Sequence, residues 1–131
     1  SSASLLFPPD PCEYFAIGVG GALAGRGADL FIIDDPHSEQ DAKLGKAEVF
    51  LPAWEWFQSG PIQRLMPGGA IIVVMTRWSK LDLTGQIVNQ MIKNDDVDDW
   101  EVVEFPAILE DKDGEETPLW PEFWPIEELK S

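Results

Sequence analysis

The chain has few of the residues on which disulfides and zinc sites depend. Its 131 residues include one cysteine and one histidine. Because Cys12 is alone, it cannot form an internal disulfide, so a reducing cytosol fits best and we expect Cys12 to serve as a small apolar side chain. His37 has no second histidine or cysteine cluster beside it. A zinc site is therefore not expected, and His37 is predicted to cap a turn.

Long hydrophobic runs are also missing. No apolar segment approaches the roughly 20 residues of a membrane-spanning helix, and the amino terminus lacks the basic and then hydrophobic pattern of a signal peptide. The composition, 44% hydrophobic and 25% charged, is typical of a soluble globular chain whose length suits one domain with a real core. We therefore expect a cytoplasmic protein with no membrane partner.

Basic residues are scarce, and the acids that outnumber them are unevenly distributed. The chain has 9 basic and 24 acidic residues, a net charge of −15. Residues 95–131 hold 14 acids against two lysines, a net charge of −12, whereas residues 1–94 hold 10 acids against seven bases, a net charge of −3. No basic stripe of the kind that binds DNA is present. The acidic C-terminal third is expected to be solvated surface.

The most informative stretch that is present is residues 29–36, in which four apolar residues run into two adjacent carboxylates and a proline. Such a run is typical of a strand buried on both faces of a parallel sheet, and these sheets bind ligands at the carboxyl ends of their strands. Nucleotide-hydrolysing motors have this Walker B arrangement: the first acid, here Asp34, holds Mg²⁺, and the second, Asp35, orients and deprotonates the attacking water. The alternative is a core strand that closes in an Asp-Pro turn.

A second apolar strand is predicted over residues 70–76, after a turn at 67–69, and it ends in Thr76 and Arg77. If the two strands are neighbours, their polar ends lie side by side. That would supply a metal ligand, a water-positioning carboxylate and a hydroxyl that senses the γ-phosphate. An ordinary strand end, with Arg77 in a surface ion pair, is the alternative.

Two further features leave alternatives open. The glycine-rich residues 18–27 are not a P-loop, because no Gly-Lys-Ser/Thr follows them; they are either a flexible turn or a loop from which Arg26 reaches a phosphate of nucleotide or DNA. Asp82 either completes a three-carboxylate metal site with Asp34 and Asp35 or caps a helix, and the cap is favoured.

The remaining patterns complete an α/β layer with a parallel core sheet. Residues 1–12 are expected to be extended and partly disordered, and residues 95–99 to form a solvated loop. The other predicted elements are strands at 14–19 and 100–105, helices at 38–59 (with a break at Pro52) and 82–94, a hairpin-like turn at 111–114 and a packed connector at 119–125.

Several motifs in this order and spacing resemble the large terminase subunit of tailed bacteriophages. The resemblance covers about residues 14–129 and is carried by residues 25–36, 64–70, 75–78 and 82–85, with a tail at 105–108 and 119–122 that looks like the segment after the ATPase core. It implies a partial RecA-like (ASCE-type), mostly parallel sheet flanked by helices. After an extended segment at 1–13, the resemblance implies the C-terminal half of a terminase-like ATPase domain at 14–105 and an acidic, Pro/Trp-rich linker at 106–131.

The resemblance also implies a function, that of the ATP-driven motor that packages viral DNA in the cytoplasm of a bacterial host. By position, Asp34 resembles the magnesium ligand, Asp35 the catalytic carboxylate, and Thr76 with Arg77 the motif that couples the γ-phosphate to domain movement. The intact family protein uses Mg²⁺ and ATP, and its partners are double-stranded DNA, the portal protein and the small terminase subunit.

The chain departs from the family in lacking the Walker A loop and the nuclease. We therefore expect negligible ATP hydrolysis by the chain alone, and it is left open whether it binds Mg²⁺ or ATP. An exposed edge on the strand at 30–34 would allow self-association. Two alternatives remain: a non-catalytic remnant of a phage or prophage gene that acts as a binding or assembly module, and a metal-dependent phosphohydrolase or nuclease that uses Asp34, Asp35 and Asp82.

Overall fold

The computed structural model describes residues 2–7, 12–23, 25–94 and 100–131. The chain divides into two compact units, Ser1–Val97 and Asp98–Ser131. The solvated loop predicted at 95–99 and part of the extended segment predicted at 1–12 lie outside the described residues. Across the described ranges, no helix has both the length and the apolar character needed to cross a membrane.

The first unit contains both strands and helices, as the sequence pattern predicts for an α/β protein. Its strands are β1 (Ser2–Phe7), β2 (Cys12–Ile17), β3 (Ala28–Asp34) and β4 (Leu65–Val74), and its helices are α1 (Glu39–Leu44), α2 (Leu51–Ser59), α3 (Pro61–Arg64) and α4 (Leu83–Lys93), with a 3₁₀ turn at Ala47–Val49. The two strands that carry the predicted polar ends pair in parallel, with Leu30 opposite Ala70 and Asp34 opposite Val74. The prediction of an α/β fold with a parallel sheet and flanking helices is therefore confirmed in this coarse form.

The sheets are smaller than the expected RecA-like core. In the described chain β3 and β4 form a two-stranded sheet, and β1 and β2 form a separate antiparallel pair. Within the segment predicted to be extended at 1–12, Ser2–Phe7 is a strand that pairs along its whole length with Cys12–Ile17. The backbone N–H and C=O groups of both segments gain partners in this ladder.

Capping residues set the ends of the helices in the first unit. The Ser38 side chain accepts the Asp41 N–H at the start of α1, and Gly45 ends that helix with a φ of 62°. The helix predicted at 38–59 is divided, as expected, into α1, the 3₁₀ turn and α2. The division precedes Pro52, which lies in the first turn of α2, where its missing N–H costs little.

The parallel sheet buries only one of its two faces, so the prediction of strands buried on both faces was wrong. Ile33 is 4% exposed and belongs to a core whose other apolar members are Leu23, Phe50, Ala53, Phe57, Leu83 and Ile87. On the opposite face Ile32 is 61% exposed and Ile72 46%. Apolar composition along a strand does not say how many layers cover it, because the covering layers are contributed by other elements.

The turn expected at 67–69 lies inside β4. The strand starts at Leu65, opposite Ala28, but the next pair is Leu30 with Ala70, so the ladder is irregular between these pairs. Gly68 has a φ of 79° in this stretch, a conformation that glycine adopts without steric cost. Residues 67–69 therefore belong to an irregular stretch within a strand rather than to a turn that precedes one.

The second unit is a small antiparallel hairpin followed by a short helix. Its elements are β5 (Ile108–Glu110), β6 (Glu116–Pro118) and α5 (Ile126–Leu129). The predicted turn at 111–114 is confirmed: the Asp111 carboxylate accepts the N–H groups of Asp113 and Glu115 between the two strands. The strand predicted at 100–105 was wrong, because the structure has no strand at these residues. Alternating sequence alone does not make a strand when the backbone lacks a neighbour.

Candidate functional site

The parallel pairing brings two polar segments to one edge of the β3–β4 sheet. Asp34, the last residue of β3, lies opposite Val74, the last residue of β4, and the Asp35 N–H donates to the Val74 carbonyl at 2.9 Å. Thr76 follows Val74 by two residues. The two strand ends from which the Asp34–Asp35 pair and the Thr76–Arg77 segment continue are therefore neighbours. We call residues 34–37 the acidic turn and residues 76–82 the second loop.

Asp35 has an unusual backbone conformation. Its φ is 41°, and no other non-glycine residue in the described part of the chain has a positive φ. Aspartate tolerates this left-handed region better than most residues, but the conformation still costs on the order of 1 kcal/mol. The carboxylates of Asp34 and Asp35 are both exposed, so solvent, a cation or a phosphate-bound metal can reach them.

The second loop is organised around a buried carboxylate, that of Asp82, which is 0% exposed. Its Oδ2 accepts the backbone N–H groups of Trp78 at 2.9 Å and Ser79 at 3.0 Å. Its Oδ1 accepts the Gly85 N–H at 2.8 Å, which caps α4. The Arg77 Nε–H lies 3.2 Å from Oδ1 and 3.1 Å from Oδ2, so both oxygens have donors.

The partners of Asp82 determine its charge and its role. Burial disfavours the carboxylate, but the N–H groups of Ser79, Gly85 and Trp78 and the Arg77 side chain outweigh burial and hold the pKa of Asp82 below its usual value. The favoured prediction, a helix cap, is confirmed. The three-carboxylate metal site was wrong: among the described residues, no group of three His, Cys, Asp or Glu side chains is arranged to hold a metal ion.

Gly85 allows the second loop to close over the start of α4. A Cβ added at this position would lie 2.6 Å from the carbonyl carbon of Lys80 and 3.1 Å from its Cα. Backbone atoms cannot yield at these distances, so any side chain at position 85 would force the loop away from the helix. The small residue therefore keeps the Gly85 N–H within reach of Asp82.

His37 connects the acidic turn to α4, a role that the sequence analysis missed. The side chain is 7% exposed, and its Nε2 accepts the Leu83 N–H at 2.9 Å, across 46 positions of sequence. Its ring meets the buried Phe50 ring edge to face, with centroids 5.0 Å apart. Burial lowers the pKa of His37, although the charges of Asp82 and Asp41 oppose that shift. No local sequence signal marks this contact, because its partner is a backbone N–H.

Two predicted cationic residues already have partners within the chain. Arg26 forms an ion pair with Glu13 at 2.6 Å, and its guanidinium lies 3.9 Å from the centroid of the Phe15 ring. Arg77 is engaged by Asp82 and also donates to the Ser79 carbonyl at 3.2 Å. The glycine-rich segment before β3 is anchored to α2, since the Trp56 Nε1–H donates to the Gly21 carbonyl at 3.1 Å.

The exposed side chains at this edge of the sheet determine which ligands it could bind. Asp34 and Asp35 offer exposed oxygens that suit Mg²⁺, and the Thr76 hydroxyl is exposed at the same edge. Two carboxylates alone make a weak magnesium site, and Mg²⁺ in such sites normally takes further oxygens from water and substrate phosphates. Within the described residues, these two carboxylates therefore do not by themselves complete a magnesium site.

Comparisons with known proteins identify no relative. No family model, no curated protein and no solved structure matches the chain. The resemblance to terminases therefore depends on the motifs of the sequence, and the site on the geometry of this one sheet edge.

Proposed function

We propose that the chain is part of an ATP-driven viral DNA-packaging motor of the large terminase type and supplies its Walker B and coupling segments. The observation that carries the proposal is the parallel pairing of β3 with β4, through which the Asp35 N–H meets the Val74 carbonyl at 2.9 Å. This pairing brings an Asp-Asp pair and a Thr-Arg pair to the same sheet edge. Motor ATPases read and hydrolyse the γ-phosphate with groups of this kind.

Each residue of the edge has a proposed role. Asp34 holds Mg²⁺, partly through water, and Asp35 orients and deprotonates the attacking water. Thr76 senses the γ-phosphate. Arg77 acts through the second loop, because its Nε–H is already engaged by Asp82. Arg26 is the candidate for contact with phosphate or DNA, and to make that contact it must leave its ion pair with Glu13.

The whole motor needs parts that this chain does not supply. A Walker A loop would bind the β- and γ-phosphates, and a nuclease would cut the packaged DNA. The proposed partners are double-stranded DNA, a portal protein and a small terminase subunit, in the cytoplasm of a bacterial host. A RecA-like sheet would add further strands beside β3 and β4.

The test begins with the coding DNA upstream of Ser1. An in-frame Gly-x-x-x-x-Gly-Lys-Ser/Thr after a strand pattern is expected. In the protein expressed from that whole reading frame, Asp35→Asn should lower the rate of Mg²⁺-dependent ATP hydrolysis by at least about a hundredfold. Asp29→Asn, a change at an exposed acid in the same strand, is the matched control. A frame without such a loop, or full activity in Asp35→Asn, would overturn the proposal.

The isolated chain gives a second, independent measurement. Since no P-loop lysine is present, we expect ATP hydrolysis indistinguishable from the buffer blank and unchanged by Asp35→Asn. Measurable Mg²⁺-dependent turnover that Asp35→Asn abolishes would show that the chain catalyses the reaction without a Walker A loop.

A second candidate, a non-catalytic assembly module, is favoured by the exposed apolar face of the β3–β4 sheet. Ile32 is 61% and Val74 54% exposed there, and a folded chain seldom leaves such a face uncovered. Self-association through this face predicts concentration-dependent sedimentation that Ile32→Glu abolishes, whereas Glu48→Gln, a control at an exposed acid outside the sheet, leaves it unchanged. A monomer at every concentration would exclude this form of the module.

A further inference from the structure

Two hydrogen bonds join the acidic turn to Val74 and Leu83, the residues that lie on either side of the second loop. The first is the Asp35 N–H on the Val74 carbonyl at 2.9 Å, which belongs to the strand pairing. The second is buried and leaves the sheet: His37 Nε2 accepts the Leu83 N–H at 2.9 Å. The first contact holds the acidic turn beside the end of β4, from which the chain continues into the second loop. The second holds it beside Leu83, which follows the second loop. Each segment is therefore held at both of its ends.

The second contact continues into the second loop through a single peptide bond. Leu83 follows Asp82, whose carboxylate accepts the N–H groups of Trp78 and Ser79. Asp82 also donates its own N–H to the Ser79 carbonyl at 3.3 Å. A displacement of the Leu83 backbone therefore shifts the carboxylate that holds the loop. A displacement of the loop reaches His37 by the same route.

The imidazole is held firmly enough to transmit such a displacement. Its ring packs edge to face on Phe50, which is 2% exposed, and Leu83 itself is 0% exposed. Pro36 precedes the histidine and restricts the backbone between it and Asp35. Because a backbone N–H can only donate, Nε2 must carry no proton in this contact, so the bonded imidazole is neutral.

We infer that His37 is a positioning residue that makes the acidic turn and the second loop move as one unit through its buried contact with the first N–H of α4. This inference rests on the proposed function. If metal or phosphate binds at Asp34 and Asp35, a shift of these residues is transmitted to Thr76 and Arg77 by the buried His37 contact as well as by the strand pairing. His37 touches no reacting group, so its effect is on the arrangement of the two segments.

The test uses the full chain and a matched pair of substitutions. The side-chain oxygen of Gln extends to about the position of Nε2, whereas that of Asn corresponds to Nδ1 and falls short of Leu83. His37→Gln should therefore retain the contact and His37→Asn should lose it, with similar polarity. Amide hydrogen exchange is followed at Leu83, Gly85, Trp78 and Ser79 and normalised to Ile72 in the strand ladder, which reports global unfolding.

In His37→Asn the normalised exchange of all four amides should rise together by about tenfold, and in His37→Gln it should stay within about threefold of the native chain. A rise at Leu83 alone would overturn the inference, since the loop would then be held independently of His37. Equal exchange in both variants would overturn it as well. If His37→Asn does not fold, His37→Gln is tested alone: a change at the loop amides without a change at Leu83, or the reverse, overturns the inference, and equal changes at all four amides support it.

The same pair separates this inference from the proposed function, because the exchange experiment uses no nucleotide. In the protein from the whole reading frame, His37→Asn should lower kcat for ATP by about tenfold with an unchanged KM, and His37→Gln should restore it. Exchange as expected in a protein without ATPase activity would overturn the proposed function and leave the positioning role standing. An active enzyme with an unchanged kcat in His37→Asn would overturn the coupling.

Discussion

Asp82 and the pair Asp34–Asp35 lie at one edge of the same small sheet, and they differ in burial and in hydrogen bonding. Asp82 is 0% exposed and its carboxylate is surrounded by the N–H groups of its own loop and helix, whereas Asp34 and Asp35 are exposed at the end of β3. A carboxylate whose oxygens are already bonded is part of the scaffold. One that keeps its oxygens in water can serve a ligand. The residue type is the same, and the surroundings decide the role.

The largest effect is expected from removing the scaffold carboxylate. Asp82→Ala leaves the N–H groups of Trp78, Ser79 and Gly85 without their acceptor and uncaps α4, so it should lower the free energy of unfolding by about 3 kcal/mol. Urea denaturation measures this change, and Asp34→Ala at the same edge is the control, expected within about 0.5 kcal/mol of the native chain. If both variants lost the same free energy of unfolding, the distinction between a structural Asp82 and a freely exposed Asp34 would be wrong.

A smaller loss is expected from crowding the second loop. Gly85→Ala places a Cβ 2.6 Å from the Lys80 carbonyl carbon and should cost about 2 kcal/mol, even though alanine favours a helix elsewhere. Thr84→Ala, in the same turn of α4, is the matched control in thermal or urea unfolding. A stabilised Gly85→Ala chain would show that the loop does not close on the helix as described.

The acidic turn has its own strain, and releasing it should have a modest effect of the opposite sign. Asp35 adopts a φ of 41°, which glycine tolerates, so Asp35→Gly should raise the free energy of unfolding by about 0.5 kcal/mol. Asp35→Ala keeps the conformation without aspartate's tolerance for it and should lower that free energy by a similar amount. If both changes act in the same direction, the left-handed backbone is not what distinguishes this position.

The smallest effect is expected from titrating His37. Burial lowers its pKa in the folded chain below the ordinary value of 6.5, while Asp82 and Asp41 oppose the shift. The unfolded chain therefore binds more protons than the folded one as the pH falls below about 6.5. The histidine's contribution to stability is fully present above that pH and is lost as the pH falls towards the folded pKa.

This pH dependence is measured as a difference between two chains. The free energy of unfolding of the native chain minus that of His37→Gln should fall between pH 7.5 and about pH 5.5. Asp82 has a lowered pKa and stays ionised throughout this range, so its contribution is constant there. A difference that does not change with pH would show that His37 titrates alike in the folded and unfolded chains.

Much of the local structure was predictable, because it depends on chemistry that short segments contain. Three of these features depend on residues within four positions of one another: the Ser38 cap, the division of the helix before Pro52 and the Asp82 cap. The hairpin turn at Asp111 is of the same kind. The strand predicted at 100–105 was wrong because a strand depends on pairing as well as on local sequence. An alternating pattern forms a strand only when a second strand pairs with it.

The sequence by itself determined which residues would meet at the sheet edge. Two apolar runs that end in polar residues, separated by a helical segment, specify parallel neighbours and so bring Asp34, Asp35 and Thr76 together. The tertiary structure alone decided that Asp82 and His37 belong to the scaffold of that edge, and that one face of the sheet stays exposed. Burial and backbone partners are supplied by residues far away in the chain, and no short segment carries that information.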